Sequence, residues 1–544
     1  MTALIPIPDV SFRRLLLSFG FIFFFAGAQA AAPEAFPGLN RKWTYYQSPN
    51  FELYSCRSDS TSRDLLERLE LLRALFIDTF KIPVRLPQPV TIFAFATQKE
   101  FNGYLAPERR SKEVDWAGFC STQADRTTIT LAPASEDENF GKVVFHEYIH
   151  CLFHMTEKNP PPWFNEGVAE LFSTMTEERG WLIMGTPIPG RVYELKTSNL
   201  MPLEQLFAVT YDSPVFQSSH TGLFYSESWA FLHYLQFGVN KIPADKVSLF
   251  LRVGESGESQ AKPEQFRLLA KELLGGDYPQ LEKALDSYVS SGQFNGRKVR
   301  RPEIAAKATY TARPALTDEM TARLAEASLR FTGSGYASLA VRNQLEREPE
   351  ARLHEVLGTM ALQEGDTDRA REQWLQAVEL GTTNVAIFRE LSRLESNVVF
   401  SQFNLDYRLP EARAELLRRL LTKSLDQAPE QSNGYEMLAW VEAFAQKPDI
   451  AAVVRVQKRF ATLNNKPRTL LALALVRMRL GKNQEALEIL DDMAKLNPDD
   501  WVLFCMELTR ARLEKRPVDP NRLPKESAGP PGIRLRPPKL DLPR

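Results

Sequence analysis

The spacing of apolar positions divides the chain into two parts. In the first part, short apolar or alternating runs predict strands at residues 51–54, 90–95 and 127–131, and apolar residues at helical spacing predict a helix over residues 64–80. Strands interleaved with helices are typical of a small sheet packed on helices, an α+β arrangement. From about residue 316 onward the pattern is almost entirely helical.

Two segments of the helical part repeat one another. Residues 353–381 and 469–497 each contain a predicted helix, a polar turn with glycine and a second helix. Small residues stand where the paired helices must approach closely: Ala370 and Ala377 in the first segment, matched approximately by Ala486 and Ala494 in the second. The pattern resembles the tetratricopeptide repeat, which implies an all-α helical-repeat (TPR-like) domain over residues 316–515 that binds a protein partner. An unrelated helical bundle is the alternative.

The two ends of the chain differ from the rest. Arg13 and Arg14 precede an apolar run at residues 15–26 and a small-x-small segment, which predicts a signal peptide over residues 1–30 and a periplasmic or secreted protein. An uncleaved N-terminal anchor is the alternative, and no stable membrane span is expected once the signal is removed. Residues 516–544 are rich in proline and charge and are expected to be disordered.

Composition and charge narrow the function classes only slightly. The chain is 44% hydrophobic and 25% charged, with 67 basic and 68 acidic residues. This composition is typical of globular domains, and without a basic excess nothing favours a nucleic-acid partner. Residues 31–294 are predicted to form the first domain. Residues 295–315, which include a basic and unpatterned stretch, are predicted to link it to the second.

The cysteines do not have the spacing of metal ligands. Cys56 and Cys120 both lie in predicted strands of the first domain, so in an oxidising compartment they are candidates for a disulfide. Cys151 lies inside a predicted helix and is expected to be a small buried hydrophobic residue.

The segment HEYIH, at residues 146–150, has the spacing of a metal site. Residues four apart lie on one face of a helix, so His146 and His150 present two imidazoles to one ion. Glu147 projects just beside that face, close enough to take a proton from a water at the metal. A helix with stacked surface histidines is the alternative for this segment taken alone.

A second segment, WFNEGVAE, follows a triple-proline turn and supplies further carboxylates. A catalytic zinc takes three protein ligands and keeps one open position, so Glu166 is predicted to complete the ligand set around one Zn²⁺ ion. Glu170 follows at i+4 and projects from the same face. It is the candidate to accept a hydrogen bond from the second nitrogen of a ligand histidine, most naturally His146.

HEYIH followed by PPWFNEGVAELF resembles the gluzincin metallopeptidases, in particular the peptidase MA-like group. The group's pattern is a HExxH helix and then P-x-W-x-x-E-G-x-A-E. The matching positions are Pro161, Trp163, Glu166, Gly167, Ala169 and Glu170. The resemblance spans roughly residues 45–290. It implies an α+β zincin-like metallopeptidase domain, with zinc between two helices and a sheet edge lining the cleft.

Zinc peptidases of this group also place a donor on the developing oxyanion. Tyr225, near the start of a predicted helix, is the candidate, although a tyrosine that only packs its ring fits the sequence equally. His220 and His233 are weaker candidates on the same stretch. His154 stands near the position of a metzincin's third histidine, but no glycine separates it from His150. The helix is therefore expected to continue, with His154 a neighbour of the ligands.

These residues predict a hydrolase, a zinc-dependent metallopeptidase. A zinc-activated water would attack the scissile peptide bond, with Glu147 as general base. The substrate is a peptide or protein whose sequence nothing here specifies. A catalytically silent zinc domain, kept in an envelope scaffold whose repeats bind proteins, is the alternative. The presence of Glu147 argues against it, because a non-catalytic metal site does not need a general base.

Overall fold

The computed structural model of this chain describes residues 36–81, 88–106, 118–133, 139–155, 160–217, 221–238, 245–247, 249–250, 263–300, 309–333, 335–400, 403–429, 432–463, 466–496 and 498–519. The predicted signal peptide, His220 and most of the predicted C-terminal tail lie outside these residues. The described residues from Pro37 onward belong to one compact unit of mixed α/β structure.

A six-stranded mixed sheet forms the base of the first part. Its strands, in spatial order, are β4 (Gly118–Thr122), β5 (Thr127–Leu131), β3 (Val90–Ala94), β2 (Phe51–Ser55), β1 (Thr44–Gln47) and β9 (Thr311–Pro314). The β2–β3 and β3–β5 pairs are parallel, and the other pairs are antiparallel. The predicted strands at residues 51–54, 90–95 and 127–131 are confirmed. β3 and β5 are buried throughout, as their continuous apolar and β-branched residues require.

Residues 295–315, which the sequence predicts as a linker, contribute two strands. β9 joins the edge of the main sheet, and β8 (Arg297–Arg300) pairs with β7 (Trp181–Met184). β7 also pairs with β6 (Thr176–Glu178), giving a second sheet in the order β6-β7-β8. β8 and β9 are short edge strands with mostly exposed side chains. Because neither strand has a buried face, neither shows the alternation by which strands are recognised.

The first part contains the helices α1 (Asp59–Phe80), α2 (Gln98–Asn102), α3 (Asn139–Met155), α4 (Pro162–Ser173), α5 (Pro189–Thr197), α6 (Leu203–Ala208), α7 (Thr221–Phe237), α8 (Pro263–Leu269) and α9 (Tyr278–Ser291). α1 begins earlier than the predicted residue 64, because the Ser58 side chain caps it by accepting a hydrogen bond from the Thr61 N–H. α3 packs against α1, β4 and α4, and α4 packs against α7. The core between these elements holds α3 and α4 in place.

The second part consists of the helices α10 (Thr317–Thr332), α11 (Gly335–Arg347), α12 (Ala351–Gln363), α13 (Thr367–Glu379), α14 (Val385–Phe400), α15 (Glu411–Gln427), α16 (Ser432–Phe444), α17 (Ile450–Arg459), α18 (Lys466–Arg479), α19 (Asn483–Ala494) and α20 (Asp500–Glu514). Neighbouring helices along the chain pack together, including the pairs α12–α13 and α18–α19 that correspond to the two repeated segments. Among the described residues, no helix is long and apolar enough to cross a membrane.

The small residues of the repeated segments are only partly where they were predicted. Ala370, Ala377 and Ala486 are fully buried between helices. Ala494 is exposed, so its prediction is wrong, and Met493 is buried instead. Met493 follows Ala486 by seven residues, the same spacing that separates Ala370 and Ala377 and returns a helix to nearly the same face.

A buried network of ion pairs joins the β4–β5 hairpin to the helical part. The Arg330 guanidinium donates two hydrogen bonds to Asp125 in the hairpin turn, one of them 3.0 Å long. The Glu326 carboxylate accepts hydrogen bonds from Arg323 at 2.8 Å, Arg330 at 3.2 Å and Arg352 at 2.8 Å. Burial alone would raise the pKa of Glu326, but the surrounding guanidinium groups hold it well below its usual value.

The same network joins the sheet and the helical part through further contacts. Arg126, beside Asp125, donates to Glu355 of α12 at 2.8 Å, and Arg352 donates to Glu52 of β2 at 2.8 Å. Asn384 donates to the Asp125 carbonyl oxygen at 2.9 Å. Charged groups buried to this degree are costly unless each has partners, so this network couples the stability of the sheet to that of the helical part.

The disulfide joins different cysteines from those expected. Cys120 of β4 is bonded to Cys151 of α3, and Cys56 is a free thiol. The expectation that Cys151 is only a buried hydrophobic residue is therefore wrong, and so is the Cys56–Cys120 pairing. The cause is tertiary, because α3 packs directly on β4 and brings Cys151 to Cys120. The bond ties the helix of the HEYIH segment to the edge of the main sheet.

Candidate metal centre

Packing of α3 and α4 determines which of their residues face each other. On α3, Phe145, Tyr148 and Ile149 are buried in the core, which leaves His146 and His150 on the side towards α4. α4 begins at Pro162, directly after the proline turn, as proline at the first helical position favours. The two predicted helices are thus confirmed.

Gly167 allows α4 and α7 to approach closely. A Cβ atom at this position would lie 2.6 Å from the Ser228 carbonyl oxygen and 2.7 Å from the Leu232 side chain. Any larger residue would push the helices apart. This close contact brings the first turns of α7, with Tyr225, next to the histidine face of α3.

Three predicted ligand atoms converge between α3 and α4. The His146 and His150 Nε2 atoms are 3.0 Å apart, and Glu166 Oε2 lies 3.4 Å from the first and 3.3 Å from the second. The ligand atoms of these three residues all lie within 4.8 Å of one another. Among the described residues, this is the group of histidine, cysteine and carboxylate side chains with the arrangement of a metal site.

The donor set fits a zinc ion. Ligands about 2.0–2.1 Å from a tetrahedral zinc lie roughly 3.3 Å from one another, close to the three separations seen here. Glu166 Oε2 is buried and receives no hydrogen bond from any residue that the structure describes. A buried carboxylate oxygen without a donor is costly, and a cation at this point would satisfy it.

Polar side chains lie beside the Nδ1 atoms of both imidazoles. His150 Nδ1–H donates to Asn165 Oδ1 at 3.0 Å, and the Asn165 amide donates to the Tyr211 hydroxyl at 2.6 Å. Glu170 Oε1 lies 3.7 Å from His146 Nδ1, as predicted from its spacing, at ion-pair rather than hydrogen-bond distance. Fixing Nδ1–H on His150 leaves its Nε2 lone pair for a metal.

Arg191, on α5, completes this surrounding group. It donates to Glu170 Oε1 at 2.6 Å, and its guanidinium carbon lies 5.3 Å from the centre of the Tyr225 ring. One arginine therefore contacts both the carboxylate beside His146 and the predicted oxyanion donor. No sequence pattern predicts a role for Arg191, Asn165 or Tyr211; only Asn165, next to Glu166 on one helix, has a local signal.

Glu147 and Tyr225 both lie at the edge of the ligand group. Glu147 is half-buried, and its charge acts on both His150 and Tyr225. The Tyr225 ring centre is 6.2 Å from that of His146. Burial, reinforced by the Glu166 carboxylate, raises the pKa of Tyr225, so its hydroxyl keeps its proton.

Other histidines considered from the sequence do not join the group. His154 is exposed at the end of α3 and, as predicted, is not among the converging ligands. His233 is fully buried elsewhere, where its Nδ1 accepts from the Tyr288 hydroxyl at 2.7 Å and its Nε2–H donates to the Gly185 carbonyl at 2.8 Å. With both nitrogens engaged, His233 has a structural role, and its weaker candidacy as oxyanion donor is wrong.

No protein-family model and no curated protein sequence matches this chain. The interpretation of the site therefore rests on the chemistry of its residues and on their distances.

His150 and Glu166 shift each other's pKa. Burial opposes the charge on His150, but the neighbouring Glu166 carboxylate raises the pKa of His150 to about 9. Burial likewise opposes ionisation of Glu166, but the His150 charge lowers the pKa of Glu166 to about 2. In the metal-free protein near neutral pH, this pair holds one proton that a bound cation must displace.

Zinc binding is therefore expected to release about one proton at neutral pH, and the apparent zinc affinity should rise with pH up to about pH 9. Calorimetric titration of zinc into metal-free protein, in two buffers with different ionisation enthalpies, measures the proton release. Equal apparent enthalpies in the two buffers would contradict the expectation.

The same pKa shifts predict how pH changes the stability of the metal-free fold. The pKa of His150 is raised from 6.5, so its contribution is complete below that value and lost as pH rises through about 9. The pKa of Glu166 is lowered from 4.5, so its contribution is present above that value and lost as pH falls through about 2. The pair should stabilise the metal-free protein most between these unshifted values, which a series of thermal melts would show.

Proposed function

We propose that this chain is a zinc-dependent peptidase that hydrolyses peptide bonds in peptide or protein substrates. The observation that carries the proposal is the convergence of His146, His150 and Glu166 within 4.8 Å, with Glu147 beside them. Three protein ligands and an adjacent carboxylate are the components that zinc-assisted hydrolysis requires.

The architecture is compatible with this proposal. We interpret the six-stranded sheet with α3 and α4 as a zincin-like peptidase domain, and the helices from α10 onward as TPR-like repeats that recruit a protein partner or substrate. The N-terminal sequence pattern and the Cys120–Cys151 disulfide both favour a periplasmic or secreted location, because disulfides persist in oxidising compartments.

Each residue of the site has its own role in the proposed reaction. A bound zinc ion would supply Lewis acidity and lower the pKa of water. Glu147 takes the proton from the attacking water and passes it to the leaving amine. The protonated Tyr225 hydroxyl would donate a hydrogen bond to the oxyanion that develops on the carbonyl. Asn165 holds the His150 imidazole in the orientation that directs Nε2 to the ion, and the Glu170 carboxylate lies beside His146 Nδ1.

Cleavage of a peptide library by the mature chain tests the proposal. Zinc-loaded protein is expected to cleave a subset of peptides, and 1,10-phenanthroline should stop cleavage while its non-chelating 1,7 isomer should not. Adding zinc back should restore the activity. Mass spectrometry of the products would also define the residues on each side of the cleaved bond.

The outcome that overturns the proposal is a zinc-loaded chain that cleaves no peptide in a diverse library. That result would favour the alternative, in which a silent zinc domain is retained in a protein-binding scaffold. Cleavage that is unaffected by 1,10-phenanthroline would also contradict the proposal, because the activity would not depend on the metal.

A further inference from the structure

A cavity of about 360 Å³ lies on the side of α4 that faces away from the metal site. Phe164, Val168, Leu171 and Phe172 of α4 form one wall. These residues follow the i, i+4, i+7, i+8 spacing of one helical face, whereas Glu166 and Glu170 occupy another. The cavity is therefore separate from the metal ligands, although a single helix borders both.

The rest of the cavity wall is apolar except for Thr79, Gln236, Arg297, Lys298 and Arg300. It includes Phe80 at the end of α1, Met184 of β7, Leu232 and Phe237 of α7, and Val299 of β8. A volume of about 360 Å³ lies within the range of small-molecule sites.

Three cationic residues of β8, Arg297, Lys298 and Arg300, line this apolar space. Arg297 pairs directly with Met184 in the β7–β8 register, and directly opposed residues lie on the same face of a sheet. Arg297 therefore shares the cavity face with Met184. No carboxylate within the described ranges forms an ion pair with Arg297, whereas the neighbouring Lys298 lies 3.3 Å from Glu178.

We propose that this cavity binds a single hydrocarbon chain ending in an anionic group, a fatty-acid carboxylate, with the chain against α4 and the carboxylate at Arg297. The apolar wall favours the hydrocarbon because its burial removes apolar surface from water. The Arg297 guanidinium, which has no ion-pair partner in the described part of the chain, favours a carboxylate, to which it can donate two parallel hydrogen bonds. A peptide backbone fits less well, because the apolar wall offers few partners for its polar groups.

Binding of dodecanoate to the full chain, measured by isothermal titration calorimetry below the micellar concentration, tests the proposal. Dodecanoate is expected to bind, and dodecanol, which has the same chain without the charge, should bind at least about tenfold more weakly. Arg297→Gln should weaken dodecanoate binding by about tenfold or more. Lys283→Gln removes a positive charge from an exposed residue of α9 outside the cavity lining and should leave binding unchanged.

A second variant tests the cavity itself. Val299→Trp places an indole in the space from an edge strand, away from the metal ligands, and should abolish dodecanoate binding without changing the zinc content. Melting curves of each variant confirm that it is folded. Absence of dodecanoate binding to the wild-type chain overturns the proposal, as do equal affinities of Arg297→Gln and Lys283→Gln. Either result leaves the peptidase proposal untouched, because that proposal is read from peptide cleavage.

Discussion

Replacing Glu147 with alanine is expected to abolish detectable peptide hydrolysis while zinc stays bound. Glu147 is not one of the three converging ligands, so its loss leaves the His146, His150 and Glu166 donor set intact. Removing a general base costs about 10²–10⁴-fold in rate, and water attack without it falls towards the background. Peptide cleavage and the metal content of the same preparation are the two measurements.

Two further variants make the Glu147 result specific. Glu147→Gln keeps the size of the side chain but cannot accept the proton, so it should be as inactive as the alanine variant. Glu204→Ala removes an exposed carboxylate of α6 and should retain wild-type activity. Wild-type rates in Glu147→Ala would exclude it as the base, and loss of zinc from that variant would show a ligand role instead.

Replacing Glu326 with alanine is expected to lower the free energy of unfolding by about 3–5 kcal/mol. Its carboxylate is 1% exposed and accepts hydrogen bonds from Arg323, Arg330 and Arg352. Removing it leaves three buried guanidinium groups with less counter-charge, at the junction between the sheet and the helical part. Thermal or denaturant unfolding followed by circular dichroism measures the loss.

Glu372→Ala is the matched control for this experiment. Glu372 lies on α13, is exposed and has no ion pair within the described part of the chain. Surface substitutions of this kind usually change stability by no more than about 0.5 kcal/mol. A Glu326 variant as stable as the Glu372 variant would mean that the network does not hold the two parts together.

The convergence of His146, His150 and Glu166 could be predicted from the sequence because their spacing along the chain is local. His146 and His150 lie one helical turn apart, and Glu166 follows on the next helix after a short proline turn, so helix geometry alone brings them close. The surrounding residues depend on packing between distant segments. Arg191 reaches the site from α5 and Tyr211 from a loop, and no spacing in the sequence connects either one to the histidines.

The features of the fold also differ in how well the sequence predicts them. Strands with a buried face, such as β3 and β5, show their apolar pattern, whereas the exposed edge strands β8 and β9 do not. The Cys120–Cys151 disulfide could not be predicted because it depends on the contact between α3 and β4, which sequence spacing does not encode. The network around Glu326 was missed because arginine and glutamate on a helix are usually solvated, and only the packed structure shows that they are buried.

The zinc content of the purified chain, compared with that of Glu166→Ala, tests the central claim most directly. After zinc loading and dialysis, the wild-type protein should hold about one zinc ion per chain, whereas Glu166→Ala should retain far less under the same conditions. Glu170→Gln, which changes only a group beside His146, should weaken zinc binding by about 10–100-fold. A wild-type chain without zinc, or a Glu166→Ala chain with the wild-type amount, would contradict the metal site described here.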